Sequence, residues 1–505
     1  MRYVFANCVL DMDRRELRRG SALIAVEPQV LDLIAHLIRH RDRVVSKDDL
    51  LGAIWHGRMV SESALFNRIN AARRAIGDTG EHQLLIRTFP RKGLRFVAEV
   101  RQESPDPLPL PDRPSIAVLP FVDQGGEPGE GYFADGITED LVTGLARIRW
   151  LFVIARNSAF VYKNRAVDVK QVSRELGVRY VLEGSVRRAG ARLRITAQLV
   201  DAASGGHHWA ERYDRELGDM FTIQDEITRN VAGAIEPRLL AAEGIRALSR
   251  SPGHLDAWDL VARAQTHFWR LTRTDCDAAI KPLQHAVDSY PDYAPAHGRL
   301  GFCRVFAVHM GWIAGEDGMA SGRGHAIRAI ALDDCDPWGH IALGYAAMME
   351  RRTEESIAAF GRAVLLNPSS AAAHSHLSRG YAFAGRFQAA VDHGGEAIRL
   401  SPLDPEMALF LGAIAVAHFT AGHYEEAVRH TAEALRLRPG FQGAQRLHCA
   451  AMAQAGRLAE ARAYLATVLE EQPGLTTAWV RANVPYQTEA LMDQFVSGLR
   501  KAGLR

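Results

Sequence analysis

Two neighbouring stretches decide the fold of the amino-terminal part: SKDDLLGAIWHGRMVSESALFNRINAARRAIGD at 46–78 and LLIRTFPRKGLRF at 84–96. The first predicts two short helices, because Ser46 is an N-cap residue with Asp49 in the capping-box position, and Ser61 can begin a second helix. The second predicts a basic β-hairpin. A helix with polar and basic side chains beside a basic hairpin suits a DNA groove and its flanking phosphates.

The second of these helices has two chemically different sides. On a 100° wheel its apolar residues form a narrow stripe that faces the core: Leu65, Ile69, Ala72 and Ile76. The opposite side carries residues that can read base edges, since Asn can bridge adenine and Arg can bridge guanine in the major groove: Ser63, Asn67, Asn70 and Arg74. We predict phosphate contacts from the flanking arginines and the hairpin: Arg68, Arg73, Arg87, Arg91, Lys92 and Arg95.

The order of these parts resembles the OmpR/PhoB-type winged-helix DNA-binding domain over residues 1–100. The parts before residue 46 are three strand patterns and a helix pattern: YVFANCVLD at 3–11, RRELRRG at 14–20, ALIAV at 22–26 and PQVLDLIAHL at 28–37. The resemblance implies that the helix at 61–76 enters the major groove and that the hairpin, or wing, touches the minor groove. FPRKG at 89–93 departs from the Gly-rich turn more usual there.

Length, composition and charge indicate several folded domains and show where the positive charge lies. A chain of 505 residues exceeds one ordinary core, and 47% hydrophobic with 24% charged residues is typical of folded domains. The net charge is +2, but residues 1–100 hold 17 Lys and Arg against 12 Asp and Glu. The positive excess therefore lies at the amino end, where the DNA-binding pattern is.

Cysteine use and hydropathy predict the compartment. The five cysteines are scattered and never form a CxxC pair, which favours reduced thiols. The amino terminus has no apolar signal-peptide region, and no stretch approaches a membrane span of ~18 apolar residues. We expect a cytoplasmic protein without a membrane partner.

A proline-rich linker and a mixed α/β pattern follow. Residues 101–114 contain five prolines and predict a semi-rigid spacer. Residues 115–240 alternate strands and helices, with a hairpin joined at AlaGlyAla and a last helix from Met220 to Leu240, and predict a mixed-sheet domain. The segments SIAVLPF, YFADGITEDLVTGLARI, YVLEGSVRR and HHWAERYDRELGDMFTIQDEI resemble the TolB-like amino-terminal domain, which implies a sensing or interaction role.

His207 and His208, with Glu211 and Asp214 nearby, raise the question of a metal site. Adjacent histidines in a strand point to opposite faces and cannot readily share one ion, so we favour a structural role. No GxSxG, HExxH or phosphate-loop motif is present. We predict no enzyme activity, no catalytic residues, no cofactor and no metal.

Residues 255–490 predict an all-α repeat array. Pro368, Pro402, Pro439 and Pro473 close similar helix endings at spacings of 34, 37 and 34 residues. Small and large positions recur as in the tetratricopeptide repeat, which this part resembles, and we expect five or six units with an insertion disturbing 254–334. The resemblance implies a concave groove for a peptide or protein partner, and the alternative is a spacer or dimerisation element.

Together these features predict a multidomain α+β protein: a winged helix-turn-helix, an α/β mixed-sheet domain and an all-α tetratricopeptide-like helical array. The predicted function is a one-component transcriptional regulator that binds double-stranded DNA and whose later domains bind a signal or protein partner. These domains either set the geometry of a homodimer on DNA or recruit a partner, and the sequence leaves both open. The alternative is an interaction scaffold, in which the repeats carry the function, the winged helix binds protein, and Asn67, Asn70 and Arg74 are an ordinary solvated face.

Overall fold

The computed structural model of the protein describes residues 2–12, 15–20, 22–55, 62–103, 113–124, 132–163, 165, 167–216, 218–250, 255–313 and 315–505. Ser61, the predicted start of the second helix, lies outside these residues. The chain forms two compact units, residues 1–108 and 109–505.

The first unit opens with four short antiparallel strands that pair in sequence order: β1 (Arg2–Phe5), β2 (Cys8–Asp11), β3 (Glu16–Arg19) and β4 (Ala22–Ile24). The stretch 3–11 is divided between two strands, because the chain turns at Ala6, which has a φ of 48°. Tyr3 and Phe5 are buried on the same side of β1, as the two-residue period of a strand requires.

Three helices and a hairpin follow: α1 (Pro28–Arg39), α2 (Lys47–Trp55), α3 (Glu62–Ile76), β5 (Ile86–Phe89) and β6 (Gly93–Phe96). The predicted capping box is present at the start of α2. The Asp49 backbone N–H donates to Ser46 Oγ at 3.0 Å, and the Ser46 N–H donates to Asp49 Oδ2 at 3.4 Å. The predicted apolar stripe of α3 is buried at every position: Leu65, Ile69, Ala72 and Ile76.

A fifth strand, β7 (Val100–Glu103), pairs with β1 and completes the sheet in the order β4-β3-β2-β1-β7. Residues 101–103 are therefore strand where the sequence predicted the start of the linker. The physical reason is that β1 has a second edge of backbone N–H and C=O groups, which β7 satisfies. The remaining linker residues 104–112 lie outside the described part.

The second unit begins with a mixed sheet and three covering helices: β8 (Ser115–Val118), β9 (Val122–Asp123), α4 (Tyr132–Leu145), β10 (Phe152–Val153), α5 (Arg156–Phe160), α6 (Val169–Leu176), β11 (Tyr180–Ala189), β12 (Arg192–Asp201) and β13 (His207–Glu216). The strand order is β10-β8-β11-β12-β13, with β9 beside β11. β8 pairs in parallel with β10 and β11, whereas β11, β12 and β13 are antiparallel. This confirms the predicted mixed sheet and its hairpin.

One long helix, α7 (Met220–Ser249), joins the sheet to the repeats. It continues beyond the predicted end at Leu240, through Pro237. Its Ile227, Val231 and Ile235 belong to the same core as the sheet residues. On another face, a Cβ added to Gly233 would lie 2.8 Å from the carbonyl oxygen of Ser369, deep in the repeats. The sheet and the repeats therefore share α7 as a common packing element.

A buried carboxylate, Glu243, strengthens this junction. Its oxygens accept hydrogen bonds from Arg179 NH1 at 2.8 Å, Tyr180 OH at 2.6 Å, Arg246 NH2 at 2.6 Å and Trp258 Nε1 at 3.2 Å. Burial raises the pKa of Glu243, but Arg179, Arg246 and Tyr180 outweigh it and hold the pKa below its ordinary value. The carboxylate stays ionised and ties β11 to two helices.

The repeats are antiparallel helix pairs: α8 (Ala257–Phe268), α9 (Arg273–Ser289), α10 (Ala294–Met310), α11 (Gly315–Leu332), α12 (Pro337–Met349), α13 (Thr353–Leu366), α14 (Ala371–Phe383), α15 (Phe387–Leu400), α16 (Met407–Thr420), α17 (Tyr424–Leu437), α18 (Gln442–Gln454) and α19 (Leu458–Glu471). A shorter pair closes the chain: α20 (Thr477–Asn483) and α21 (Glu489–Lys501). The predicted insertion is a lengthening of α10 and α11 to 17 and 18 residues, against 13 and 14 in the next pair.

The predicted open groove is not present in the described part of the repeats. The first helices of the pairs line the interior, but all residues of α10 except Pro295 and Arg304 are buried. Pairs far apart in sequence contact each other: Trp312 Nε1 donates to Gln442 Oε1 at 2.9 Å, and Arg438 Nε donates to the Trp269 carbonyl at 2.6 Å. The array is wound tightly enough for distant pairs to touch, and side chains of the first helices are buried where the sequence predicted a groove for a peptide.

Across the residues that the structure describes, no helix is both long enough and apolar enough to cross a membrane. α16, which contains the longest apolar run, is a packed repeat helix with Leu409, Phe410 and Phe419 buried in the core.

Candidate nucleic-acid interface

The four predicted base-reading residues share one exposed face of α3. Ser63, Asn67, Asn70 and Arg74 are all exposed, at spacings of four, three and four residues, which keeps them on one side of a helix. The buried stripe described above holds the opposite side against α1 and the sheet. α3 therefore presents a row of hydrogen-bonding side chains that ends in a cation.

Arg73 differs from the other predicted phosphate ligands, because it is only 7% exposed. Its NH2 donates to the Ile86 carbonyl at 3.0 Å and to Thr88 Oγ1 at 2.8 Å, both on β5. Burial lowers the pKa of Arg73, and Asp78 opposes that shift. This placement corrects the predicted phosphate contact, since the guanidinium is occupied in holding the wing against α3.

Asp78, which the sequence did not single out, organises the turn between α3 and the wing. Its two carboxylate oxygens accept four backbone N–H groups at 2.9–3.0 Å: Thr79, Leu84, Leu85 and Ile86. Burial raises its pKa, but these four donors outweigh burial and leave the pKa below its ordinary value. The only sequence signal was an Asp directly after the helix-ending Gly77.

Arg68 is half-buried and already paired. Its NH1 lies 2.5 Å from Glu27 Oε2, and its Nε donates to Gln29 Oε1 at 3.2 Å. Both partners flank the first turn of α1, so that Arg68 links two helices. A phosphate contact by this side chain would have to compete with Glu27.

The wing carries the exposed cations. Arg87, Arg91 and Lys92 are exposed, and Arg95, which is half-buried, lies directly opposite Arg87 in the β5–β6 register. Like charges opposite each other repel, and an anion between them would relieve that repulsion. The Nε atom of Arg95 has no hydrogen-bond partner among the described residues.

The FPRKG turn fits the wing through backbone geometry. Arg91 adopts a left-handed φ of 64°, and Lys92 N–H donates to the Phe89 carbonyl at 3.0 Å to close the turn. Gly93 has a φ of 134°, and a Cβ there would lie 2.0 Å from the Val45 carbonyl oxygen. The glycine is thus needed for close approach to the strand-like segment before α2, while Arg91 takes the turn conformation.

Phe66 is an interface candidate that sequence reasoning missed. It lies on α3 between the two helix faces, is 48% exposed, and has Lys47 Nζ 4.9 Å from its ring centre. A large exposed aromatic side chain beside a cation is suited to contact a sugar or a thymine methyl group. Its position next to Asn67, off the apolar stripe, was the available signal.

The histidines at 207 and 208 do not gather metal ligands. Both are exposed on β13, and His208 Nε2 lies 3.8 Å from Asp201 Oδ2. In the described residues, the single group of three side chains close enough to share an ion is Asp333, Asp334 and Cys335. Asp333 is paired there with Arg149 at 2.9 Å.

Parts of the chain are similar to known protein families and to known proteins. Residues 21–96 match the family described as "Transcriptional regulatory protein, C terminal", and residues 341–405 and 418–482 match tetratricopeptide repeat families. The chain is 43% identical over 268 residues to putative adenylate cyclase 3 of Rhizobium meliloti, which covers 53% of this chain and 45% of that protein. The chain thus spans less than half of that relative's length.

Two further similarities extend the comparison. Transcriptional regulator HilA of Salmonella typhi is 25% identical over 410 residues, or 79% of this chain and 71% of HilA. Among solved structures, the Klebsiella pneumoniae RstA DNA-binding domain in complex with the RstA box is 21% identical, covers 19% of this chain and 95% of that one, and has a TM-score of 0.18. The family matches thus place a transcriptional regulatory domain at residues 21–96 and tetratricopeptide repeats at 341–405 and 418–482 of the same chain.

Proposed function

We propose that the protein is a sequence-specific DNA-binding transcriptional regulator in which α3 reads the major groove. The observation that carries this proposal is the single exposed face of α3 formed by Ser63, Asn67, Asn70 and Arg74, next to a wing with three exposed cations. The family match over residues 21–96 and the regulator named HilA support it.

Each polar or basic residue of this surface has its own role in the proposal. Asn67, Asn70 and Arg74 contact base edges, and Ser63 contacts a base or phosphate at the start of the helix. The wing cations contact phosphates: Arg87, Arg91, Lys92 and Arg95. Arg68 and Arg73 position α3 relative to its neighbours.

The double variant Asn70→Ala/Arg74→Ala tests base reading. We expect the fragment 1–108 to bind duplex DNA with an affinity that falls with log salt at a slope of about −0.9 per phosphate contact. On a site selected from a random library, the double variant loses roughly 100-fold in affinity, because each bidentate base contact is worth about 1–3 kcal/mol. Fluorescence anisotropy over a salt series measures both quantities.

Two control variants distinguish the recognition of base edges from the electrostatic attraction to phosphates. Arg101→Ala removes an exposed cation from β7, outside α3 and the wing, and leaves selected-site affinity unchanged. Arg91→Ala/Lys92→Ala weakens selected and random DNA alike and makes the salt slope shallower by about 2. A folded fragment that does not bind DNA at low salt refutes the proposal and leaves the protein-binding scaffold.

We further infer that the second unit receives the signal. Its sheet resembles the TolB-like domain, and its exposed face borders a cavity of about 960 Å³ lined by Glu183, Ser185, Thr196, Gln198 and Arg212, among others.

A homodimer would place two copies of α3 on neighbouring half-sites. Chemical crosslinking of the full chain with and without DNA tests the dimer.

The name of the Rhizobium relative raises nucleotide cyclisation as a second activity. We infer that the chain lacks it, because the similarity spans 45% of that protein and the relative HilA is named a transcriptional regulator. Incubating the full chain with ATP and Mg²⁺ should give no cyclic AMP above a heat-denatured control. Steady production of cyclic AMP would show an enzyme.

A further inference from the structure

Arg446 is a buried cation surrounded by neutral groups. Its side chain, in the middle of α18, is 2% exposed. NH1 donates to Gln472 Oε1 at 2.9 Å, NH2 to the His309 carbonyl at 3.4 Å, and the Trp479 ring lies 4.8 Å from the guanidinium. In the described part of the chain, no carboxylate lies within 4.0 Å of it. Burial lowers the pKa of Arg446 to about 10, so it remains charged at neutral pH.

A second buried arginine adds to this positive interior. Arg379 on α14 is 4% exposed; its NH2 donates to the Leu409 carbonyl at 3.0 Å, and its Nε has no partner among the described residues. Arg379, Arg446 and His309 line one cavity of about 40 Å³. Burial and the two arginines lower the pKa of His309 well below its ordinary value, so it is neutral. Burying charges without a counter-ion is unfavourable, and a bound anion would offset that cost.

A larger cavity of about 260 Å³ reaches Arg446 from another side. Its lining combines aromatic and apolar side chains with polar ones: Trp312, Trp479, Met310, Leu475, Gln442, Gln472, Arg273 and Glu471. Arg273 is exposed, whereas the Glu471 carboxylate accepts a hydrogen bond from Gln445 Nε2 at 2.7 Å. The lining therefore includes one buried cation, Arg446, and two indole side chains.

The two indoles are held in place by specific contacts. Trp312 Nε1 donates to Gln442 Oε1 at 2.9 Å. Trp479 lies directly against Gly311, where an added Cβ would be 2.5 Å from Trp479 Cζ2. Gly311 also has a left-handed φ of 81°. The absence of a side chain at Gly311 thus sets the position of the Trp479 wall.

We propose that this cavity binds a small organic carboxylate with an apolar body, the carboxylate on Arg446 and the body between Trp312 and Trp479. A planar guanidinium matches a carboxylate through two parallel hydrogen bonds, and the aromatic walls suit an apolar group. The volume of about 260 Å³ is just below the roughly 300–1,000 Å³ of drug-sized ligand pockets, so it suits a small ligand and excludes a folded peptide. This site rests on the proposed function, since its ligand would be a signal received by the second unit, at a place separate from the cavity beside the sheet.

The test measures binding of three probes, benzoate, indole-3-acetate and octanoate, to the full chain by titration calorimetry and tryptophan fluorescence. At least one carboxylate should bind, and its uncharged amide should bind at least 10-fold more weakly. Arg446→Met should lower the affinity for that carboxylate by about 10- to 100-fold, as expected for a lost charge-assisted hydrogen bond. Arg436→Met, at an exposed arginine paired with Glu433, is the matched control and retains binding.

Two further variants test the site if Arg446→Met does not fold. If circular dichroism shows that Arg446→Met is unfolded, Arg446→Lys keeps the charge but loses the planar fork, and should bind with intermediate affinity. Gly311→Ala displaces Trp479 and should weaken binding with Arg446 intact. The proposal is overturned if none of the carboxylates binds at 1 mM, a concentration corresponding to about 4 kcal/mol of binding free energy, or if amide and carboxylate bind equally. The measurement contains no DNA, so its failure leaves the DNA-binding test intact.

Discussion

Glu243→Gln lowers the free energy of unfolding of the second unit by about 3–5 kcal/mol, the expected cost of removing one partner from a buried ion pair. The carboxylate is fully buried and receives four donors, of which Arg179 is itself only 9% exposed. Glutamine keeps the size but removes the charge, which leaves Arg179 buried without its counter-ion. The side-chain NH2 group of the glutamine would also face the groups of Arg179, Tyr180 and Arg246 that now donate hydrogen bonds to Glu243.

Urea unfolding of the full chain, followed by far-ultraviolet circular dichroism, measures this effect as a lower midpoint for the second unit. Glu433→Gln is the control, because Glu433 pairs with Arg436 on an exposed helix surface and its loss should leave the midpoint unchanged. Equal midpoints for the two variants would contradict the role assigned to Glu243.

Asp78→Asn destabilises the first unit by about 3 kcal/mol, because an amide cannot accept the four backbone N–H groups that the carboxylate accepts. The effect also depends on pH. The folded-state pKa of Asp78 is below its ordinary value, so its stabilisation is present above about pH 4 and is lost as pH falls through the folded pKa. The wild type should therefore lose stability in acid more steeply than the variant.

Thermal unfolding of the fragment 1–108 between pH 7 and pH 2.5 tests both expectations. Asp42→Asn, an exposed aspartate in the same unit, serves as control and should follow the wild type at every pH. Because Asp78 also positions the wing, DNA affinity should fall in Asp78→Asn under conditions where the fragment is folded. If the thermal stability of the wild type and of Asp78→Asn falls equally between pH 4 and pH 2.5, the four hydrogen bonds of Asp78 contribute little.

Features that depend on neighbouring residues could be predicted from the sequence. The capping box of Ser46 and Asp49 involves residues three positions apart, and the α3 stripe follows from helical period alone. Arg73 was assigned wrongly because its partners, the Ile86 carbonyl and Thr88, lie on the next hairpin. A helix wheel contains no information about what the wing covers. The roles of the exposed base-reading residues stay predictions.

The repeats illustrate the same limit at a larger scale. The existence of the repeats could be predicted from the spacing of Pro368, Pro402, Pro439 and Pro473, because each repeat unit ends its second helix with a similar residue. Their tight winding could not, because it sums small rotations between successive pairs. Those rotations depend on close contacts between successive pairs, such as Gly298 against Trp338 and Gly380 against Phe360. Such contacts join residues of adjacent pairs or helices that periodicity alone does not orient.

The closed winding has a consequence for how this protein can evolve. Open arrays gain and lose repeats readily, because each unit contacts only its neighbours. Here Trp269 meets Arg438 and Trp312 meets Gln442, so a duplicated or deleted pair would shift every such partner out of register. A variant with one helix pair deleted is therefore expected to lose these contacts and to be less stable than the full array.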